Sequence, residues 1–386
     1  MKIVFAPDKY KSCMTAPEVC AALHKAFRAV FPDAELVSLP MADGGDGTVE
    51  SVLSAAGENG ERRRVSVTGP LGGRTEAVFG LINNGATAVL EMASASGIAL
   101  LSPSELDPRR ATTYGTGELI RHALDSGVRE ILIGIGGSAT VDGGAGMAQA
   151  LGYRLLDAEG NELPPGGAPL NRLAKIDPSG ADPRIFRTRF LIASDVTSPL
   201  LGLAGAARVF GPQKGADPVC VEELERGLAN LAECWKASGL LPDPDRPGDG
   251  AAGGLGAGLR AFCKAIPGSG AKLVMDTLHF RDHLRGASLV VTGEGRTDSQ
   301  TGAGKLCGAV AEAAHADGVP VLLLSGALDG RPEDFYPVFD YAFSISPGRT
   351  NLDESLKNGP ADLHAFAWNL ARLIRDGGRI AGGIVS

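Results

Sequence analysis

Five segments of the sequence combine glycine with acidic, basic or hydroxyl residues. They are Asp43-Gly44-Gly45-Asp46-Gly47-Thr48, Gly115-Thr116-Gly117-Glu118, Gly134 to Gly144, Gly250 to Gly258, and Thr292-Gly293-Glu294-Gly295-Arg296-Thr297-Asp298. Each is expected at the end of a strand or the start of a helix. Helix N-termini offer free N–H groups and a partial positive charge, and glycine lets backbone approach an anion closely. In open α/β sheets, ligands bind beyond the carboxyl ends of the strands. Several such loops together would hold a polyphosphate in an otherwise acidic chain. Taken singly, each is equally readable as a turn, since glycine is the default residue for positive φ.

Carboxylates recur at the same loops: Asp43 and Asp46 in one, then Asp142, Asp195, Glu294 and Asp298. Hard oxygen ligands beside phosphate-binding amides are what a Mg²⁺–nucleotide site requires. The plainer alternatives make Asp46 a helix cap and Asp142 a turn residue. Lys9 and Lys11 follow the first strand, where a cation could meet a carboxylate or phosphate, or simply be solvated. Lys214 and Lys305 carry the same two readings.

Several familiar chemistries are disfavoured by the motifs. The pattern GxxxxGK[ST] is missing, because Gly304-Lys305 is followed by Leu306 and position 299 is Ser. Gly134-x-Gly136-x-x-Ala139 does match the dinucleotide fingerprint, with Asp157 downstream. Helix-breaking Gly143-Gly144, however, puts the helix start later than that fingerprint requires. His279 and His283 lack the Glu of HExxH, and no GxSxG elbow occurs.

The elements that must position these groups follow from periodicity. Residues 2–6 read as a buried strand, and 16–30 as an amphipathic helix opened by the capping box Thr15-Ala16-Pro17-Glu18. A strand at 36–39 leads through 40–47 into a helix at 48–56, which is the order of a parallel sheet. Then 65–67, 75–82 and 86–92 read as strands separated by Gly-Pro, Gly-Gly and Asn83-Asn84-Gly85, which are hairpin signals. A helix at 117–126, a strand at 130–135, a helix at 143–151, a strand at 187–194 and a helix through Val221–Trp235 follow. The βαβα order returns with strands 288–292, 320–324 and 340–345 and helices 304–317 and 360–376. The expectation is α/β with two α/β domains. One is a parallel Rossmann-like sheet domain from residues 1–60 plus 286–386, and the other an inserted mixed-sheet domain from residues 61–285.

With 386 residues, the chain has ample core for two or three domains. Apolar residues are 44% and charged residues 21%, as in a soluble globular protein, and no run is apolar enough to span a membrane. The formal charge of −8, without a basic stripe, argues against nucleic acid as the main partner. The start reaches Pro7, Asp8 and Lys9 too soon for a signal peptide, and six cysteines show no CxxC or zinc spacing. A cytoplasmic protein with reduced thiols is expected. Glycine, at 54 residues, is about twice its usual ~7% share and gathers in the clusters above.

In sequence order, these segments resemble the bacterial type-1 glycerate kinase family. The resemblance rests on Ala6-Pro7-Asp8-Lys9-Tyr10-Lys11, Pro40 to Thr48, Glu91-Met92-Ala93-Ser94-Ala95-Ser96-Gly97, Gly115 to Ile120, Gly136 to Thr140, Asp142 to Met147 and Thr292 to Asp298. Ser12-Cys13 depart from the family's Gly-Ser, and Val141 stands where Asn is common; neither change removes a charge. The resemblance implies ATP- and Mg²⁺-dependent phosphorylation of D-glycerate in a cleft between two α/β domains, with 2-phosphoglycerate as the product. The residue chemistry alone leaves the 2- and 3-hydroxyl both open.

Within that family reading, Lys11 and Arg296 would hold the glycerate carboxylate or the migrating phosphoryl group. Asp8, Lys9, Ser94, Glu294 and Asp298 would bind substrate. Gly115, Thr116, Gly136, Gly137, Ser138, Gly253 and Gly254 would meet the nucleotide. Asp43, Asp46 and Asp195 would hold the metal, with Asp43 or Asp195 or another carboxylate taking the substrate proton. Two other classes stay open. A nicotinamide oxidoreductase would use Gly134–Ala139 and Asp157, and a small-acid sensor would not need so many acidic loop tips.

Overall fold

The structure is a computed structural model that describes residues 1–298, 306–348 and 351–384. In chain order the strands are β1 (Lys2–Phe5), β2 (Glu35–Ser38), β3 (Glu61–Thr68), β4 (Arg74–Ile82), β5 (Thr87–Glu91), β6 (Glu130–Gly134), β7 (Arg154–Leu156), β8 (Lys175–Asp177), β9 (Arg189–Ala193), β10 (Ile266–Gly268), β11 (Leu289–Asp298), β12 (Val321–Asp329) and β13 (Tyr341–Ser344). The chain divides into two compact units. One holds Met1–Ala42, Glu50–Ala56 and Val274–Ser386, and the other holds Asp43–Val49 and Gly57–Leu273.

The first unit has a five-stranded sheet in the order β13-β12-β11-β1-β2, parallel throughout. Its strands are short apolar runs such as Ile3-Val4-Phe5, buried as a sheet covered by helices demands. The covering helix Ala16–Val30 begins with a full capping box: Thr15 Oγ1 accepts from Glu18 N–H, and Glu18 Oε2 accepts from Thr15 N–H at 2.8 Å. Its stripe of Val19, Leu23 and Phe27 joins Phe5, Val291, Leu324 and Leu363 in one core.

The second unit has a six-stranded sheet in the order β10-β9-β6-β5-β4-β3. Four strands are parallel, and β3, β4 and β5 form antiparallel hairpins at one side. Asn83, Asn84 and Gly85 turn β4 into β5, with φ of +53°, +57° and +79°. Asn tolerates that left-handed region better than most residues, which explains the signal. A separate hairpin, β7–β8, was not expected from the sequence. Its strands are three residues each, too short for a period to register.

Four further differences from the expected elements follow. The strand expected to stop at residue 292 continues to Asp298, paired with β12 down to Asp298–Asp329. The helix expected from 117 starts at Tyr114, so Gly115 and Thr116 lie inside it. Gly250–Gly258 opens the helix Ala251–Cys263, with left-handed backbone at Ala252, Gly253 and Gly254. The last helix, Leu352–Ile384, begins eight residues before Pro360, where Asn351 Oδ1 accepts from Asp353 N–H. Among the described residues, no helix is long and apolar enough to cross a membrane, and all six cysteines are free.

Candidate active site

In the second unit, four parallel strands end at one level. Glu91 is in register with Gly134, Gly134 with Ala193, and Ala193 with Gly268. The loops after these strands carry residues 92–97, 135–144, 194–199 and 269–270. The Asp43–Val49 segment lies on this edge, and glycine is what lets it. A Cβ on Gly134 would stand 2.3 Å from the Gly44 carbonyl oxygen, and one on Gly44 2.3 Å from that of Ala193. A Cβ on Gly270 would stand 1.8 Å from the Asp43 carbonyl oxygen. Real side chains have no room at such distances.

Two exposed acidic residues touch Gly270, one through its carboxylate and the other through its main chain. Asp195 accepts its N–H at 3.1 Å, and the Asp43 main chain lies against its α-carbon, while the Asp43 side chain accepts from Gly45 N–H at 3.0 Å. Asp46 is exposed on the same loop. Glu91, half-buried, fastens that loop by accepting from Gly47 N–H at 3.3 Å and Val49 N–H at 2.6 Å. It thereby caps the helix Thr48–Ala56, where a carboxylate is favoured. The sequence reading gave Glu91 no role. A Glu closing a strand just before a helix of small residues was the available signal.

Against Gly44-Gly45 stands the 136–140 loop, where a Cβ on Gly136 would lie 3.1 Å from the Gly45 α-carbon. Gly136 and Gly137 are exposed, and Gly137 has φ +73°. The loop is pinned by Ile98 N–H to Gly137 carbonyl at 2.8 Å and Ala139 N–H to Ser96 carbonyl at 3.0 Å. The N–H groups of Gly136, Gly137 and Ser138 donate to no acceptor among the described residues. Successive unpaired amides on a glycine turn are groups that can receive an anion. Ser94 is turned back, its hydroxyl donating to the Glu91 carbonyl at 2.8 Å.

Beneath the loop, Asp142 is fully buried and accepts from Thr113 N–H and Oγ1–H, both at 2.8 Å, and from Gly144 and Gly146 N–H. Burial pushes its carboxyl up, against the pull of those bonds. Lys214, also buried, donates to Ser138 Oγ at 2.7 Å and the Thr140 carbonyl at 2.8 Å. Burial pulls its ammonium down to about 7, which Asp142 opposes.

Four nucleotide candidates sit away from the exposed edge. Gly115 would place a Cβ 1.8 Å from the Thr68 carbonyl oxygen, and Thr116 Oγ1 donates to Ser96 Oγ, both residues being buried. Gly253 and Gly254 are buried, and a Cβ on Gly253 would stand 1.9 Å from the Thr140 carbonyl oxygen. In each case glycine buys close packing beneath the loops.

The first unit gathers a different set. Asp8, Lys9, Tyr10 and Lys11 follow β1, with Asp8 N–H donating to the Gly293 carbonyl at 2.8 Å. Tyr10 is buried and donates to the Leu324 carbonyl at 2.7 Å. A Cβ on Gly295 would meet the Lys11 nitrogen at 3.2 Å, so glycine in β11 makes room for this segment. Lys11 is exposed. Glu294 accepts from Thr297 Oγ1–H at 3.0 Å, Asp298 is half-buried, and Arg296, exposed, pairs with Asp329. Lys305 lies outside the described residues. Among the described residues, no group of three or more His, Cys, Asp or Glu is arranged to hold a metal by itself.

Comparison with known proteins decides the family: a profile of the Glycerate kinase family matches residues 3–375. The chain belongs to that family, whose members are phosphotransferases. It is 46% identical over 386 residues to the glycerate 2-kinase of Escherichia coli K12, covering 99% of this chain and 100% of that one. It is 46% identical over 370 residues to a glycerate kinase of Halalkalibacterium halodurans, covering 96% and 97%. A crystal structure described as "putative glycerate kinase 2" from Salmonella typhimurium LT2 superposes with a TM-score of 0.89 at 46% identity, covering 98% of this chain and 99% of that one. The family assignment and the parallel-plus-mixed α/β architecture therefore agree with the order of glycine and acidic motifs along the chain.

Proposed function

We propose that the protein transfers the γ-phosphoryl group of ATP to D-glycerate with Mg²⁺, giving 2-phosphoglycerate. One observation carries the reading: unpaired amides of Gly136, Gly137 and Ser138 share a strand-end edge with the Asp43 and Asp195 carboxylates. Phosphoryl transfer asks a protein mainly for positioning and charge neutralisation, and this edge supplies both.

The 136–138 amides would receive phosphate oxygens. Asp43 and Asp195, both exposed acidic residues contacting Gly270, fit a magnesium ion that keeps waters and phosphate ligands, because one or two carboxylates without a protein-only cage are its usual donor set. Magnesium would supply two positive charges against about four negative charges on the nucleotide, which this acidic chain would otherwise repel. In the first unit, Lys9 and Lys11 would bind the glycerate carboxylate and steady charge on the moving phosphoryl group, with Arg296 held in reach by Asp329. Glu294 or Asp298 would orient the substrate hydroxyls, and one of the loop carboxylates would take the proton of the attacking hydroxyl.

Incubation with ATP, Mg²⁺ and D-glycerate followed by ³¹P NMR tests activity and regiochemistry together. The expected product is 2-phosphoglycerate, formed only with the divalent cation. Turnover in excess chelator would remove the metal assignment, and 3-phosphoglycerate would overturn the proposed product.

A further inference from the structure

Lys214 sits one hydrogen bond below the exposed loop of the proposed nucleotide site. Pro212–Lys214 forms a single 3₁₀ turn, closed by Gly215 at φ +95°, whose Cβ position is filled by the Leu106 carbonyl. That turn delivers the side chain into the interior, where Lys214 is only 2% exposed. No carboxylate pairs with its ammonium among the described residues. Asp142 acts on it electrostatically, but spends its oxygens on Thr113, Gly144 and Gly146. A buried cation held by one hydroxyl and one carbonyl is costly unless something else offsets the charge.

The hydroxyl it holds points to what that is. A lysine ammonium only donates, so Ser138 Oγ must accept, and the Ser138 hydrogen is left to donate. That hydrogen has no acceptor among the described residues, and it belongs to the loop whose amides are also unpaired.

We propose that Lys214 is a positioning residue for the phosphoryl donor: it orients the Ser138 hydroxyl and the Gly136–Ser138 amides toward a phosphate group and presents a positive charge behind them once the phosphate is bound. The inference rests on the reading of that loop as the nucleotide phosphate site. A phosphate on the loop would gain a charge-assisted donor, since Ser138 is polarised by the ammonium behind it. The buried cation would in turn gain the counter-charge that the chain does not provide.

Steady-state kinetics of full-length Lys214→Met and Lys214→Arg, with ATP and D-glycerate varied separately and a melting curve beside them, tests this. Lys214→Met is expected to raise the ATP KM about tenfold while the D-glycerate KM stays within twofold, and Lys214→Arg to recover part of the loss. A merely structural lysine would lower the melting temperature and leave both constants alone, which overturns the proposal. Where Lys214→Met does not fold, Ser138→Ala takes its place: an ATP KM raised about threefold supports the relay, and an unchanged one overturns it. Gly137→Val separates the two levels. If it leaves the ATP KM unchanged, the loop is not the phosphate site and the premise fails. If it raises the ATP KM and Lys214→Met does not, only the role of Lys214 fails.

Discussion

In the second unit the decisive glycines stand at strand ends, where Gly134, Gly44 and Gly270 let one loop lie directly on the sheet edge and leave amides of the next loop unpaired. In the first unit they stand inside β11 and β12, where Gly293, Gly295 and Gly326 make room for neighbouring backbone and the charge is carried by Lys9, Lys11 and Arg296 on side chains. The same residue type thus serves two purposes. At a strand end, glycine exposes fixed backbone dipoles, which cost no side-chain entropy to aim. Inside a strand it admits a second segment that carries side-chain cations. Rigid dipoles suit a phosphate chain that must be held in one register. Side-chain cations suit charge that moves during the reaction.

The strand-end arrangement is the more fragile of the two. Gly270→Ala forces a methyl group into the Asp43 carbonyl, and the neighbour is backbone that cannot swing aside. Overpacking of this kind costs about 1–3 kcal/mol, and displacing both carboxylates by as little as about 1 Å costs ~10² in rate. The expected result is a lower melting temperature together with kcat reduced ~10²-fold or more, measured by calorimetry and steady-state assay. A variant with wild-type kcat would show that the Asp43–Gly270–Asp195 contact does not serve catalysis.

The cation side should break differently. Lys11 is exposed, so Lys11→Met leaves packing intact and the melting temperature nearly unchanged. If the ammonium steadies charge that develops as the phosphoryl group moves, kcat falls ~10²-fold with D-glycerate binding only modestly weakened. A raised D-glycerate KM with kcat kept would make Lys11 a carboxylate anchor instead. Unchanged constants would take it off the list.

Much of this architecture was legible in the sequence because it is written in local patterns. The Thr15–Glu18 capping box, the Asn83-Asn84-Gly85 turn and the apolar run Ile3-Val4-Phe5 each specify their element within a few residues. The parallel sheet assembled from both chain ends followed from the return of βαβα order after an antiparallel stretch. What was not legible depends on partners far away in the chain. Nothing local says that β11 continues through Gly293 and Gly295, since glycine argues against a strand interior until Gly326 and Tyr10 are seen filling the space beside it. Gly115, Gly253 and Gly254 read as ligand-loop glycines because close packing and close approach to a ligand ask for the same missing Cβ. Lys214 read as either solvated or functional because burial cannot be inferred from the turn that delivers it.

The comparison between the two units is tested most directly by hydrogen–deuterium exchange of the wild-type chain with and without ATP and Mg²⁺. Amides in residues 134–140 and 43–48 are expected to slow on addition of the nucleotide, with those in 8–14 and 292–298 slowing mainly when D-glycerate is added. Nucleotide protection confined to 8–14 and 292–298, with 136–138 unaffected, would contradict the assignment of phosphate binding to the backbone edge.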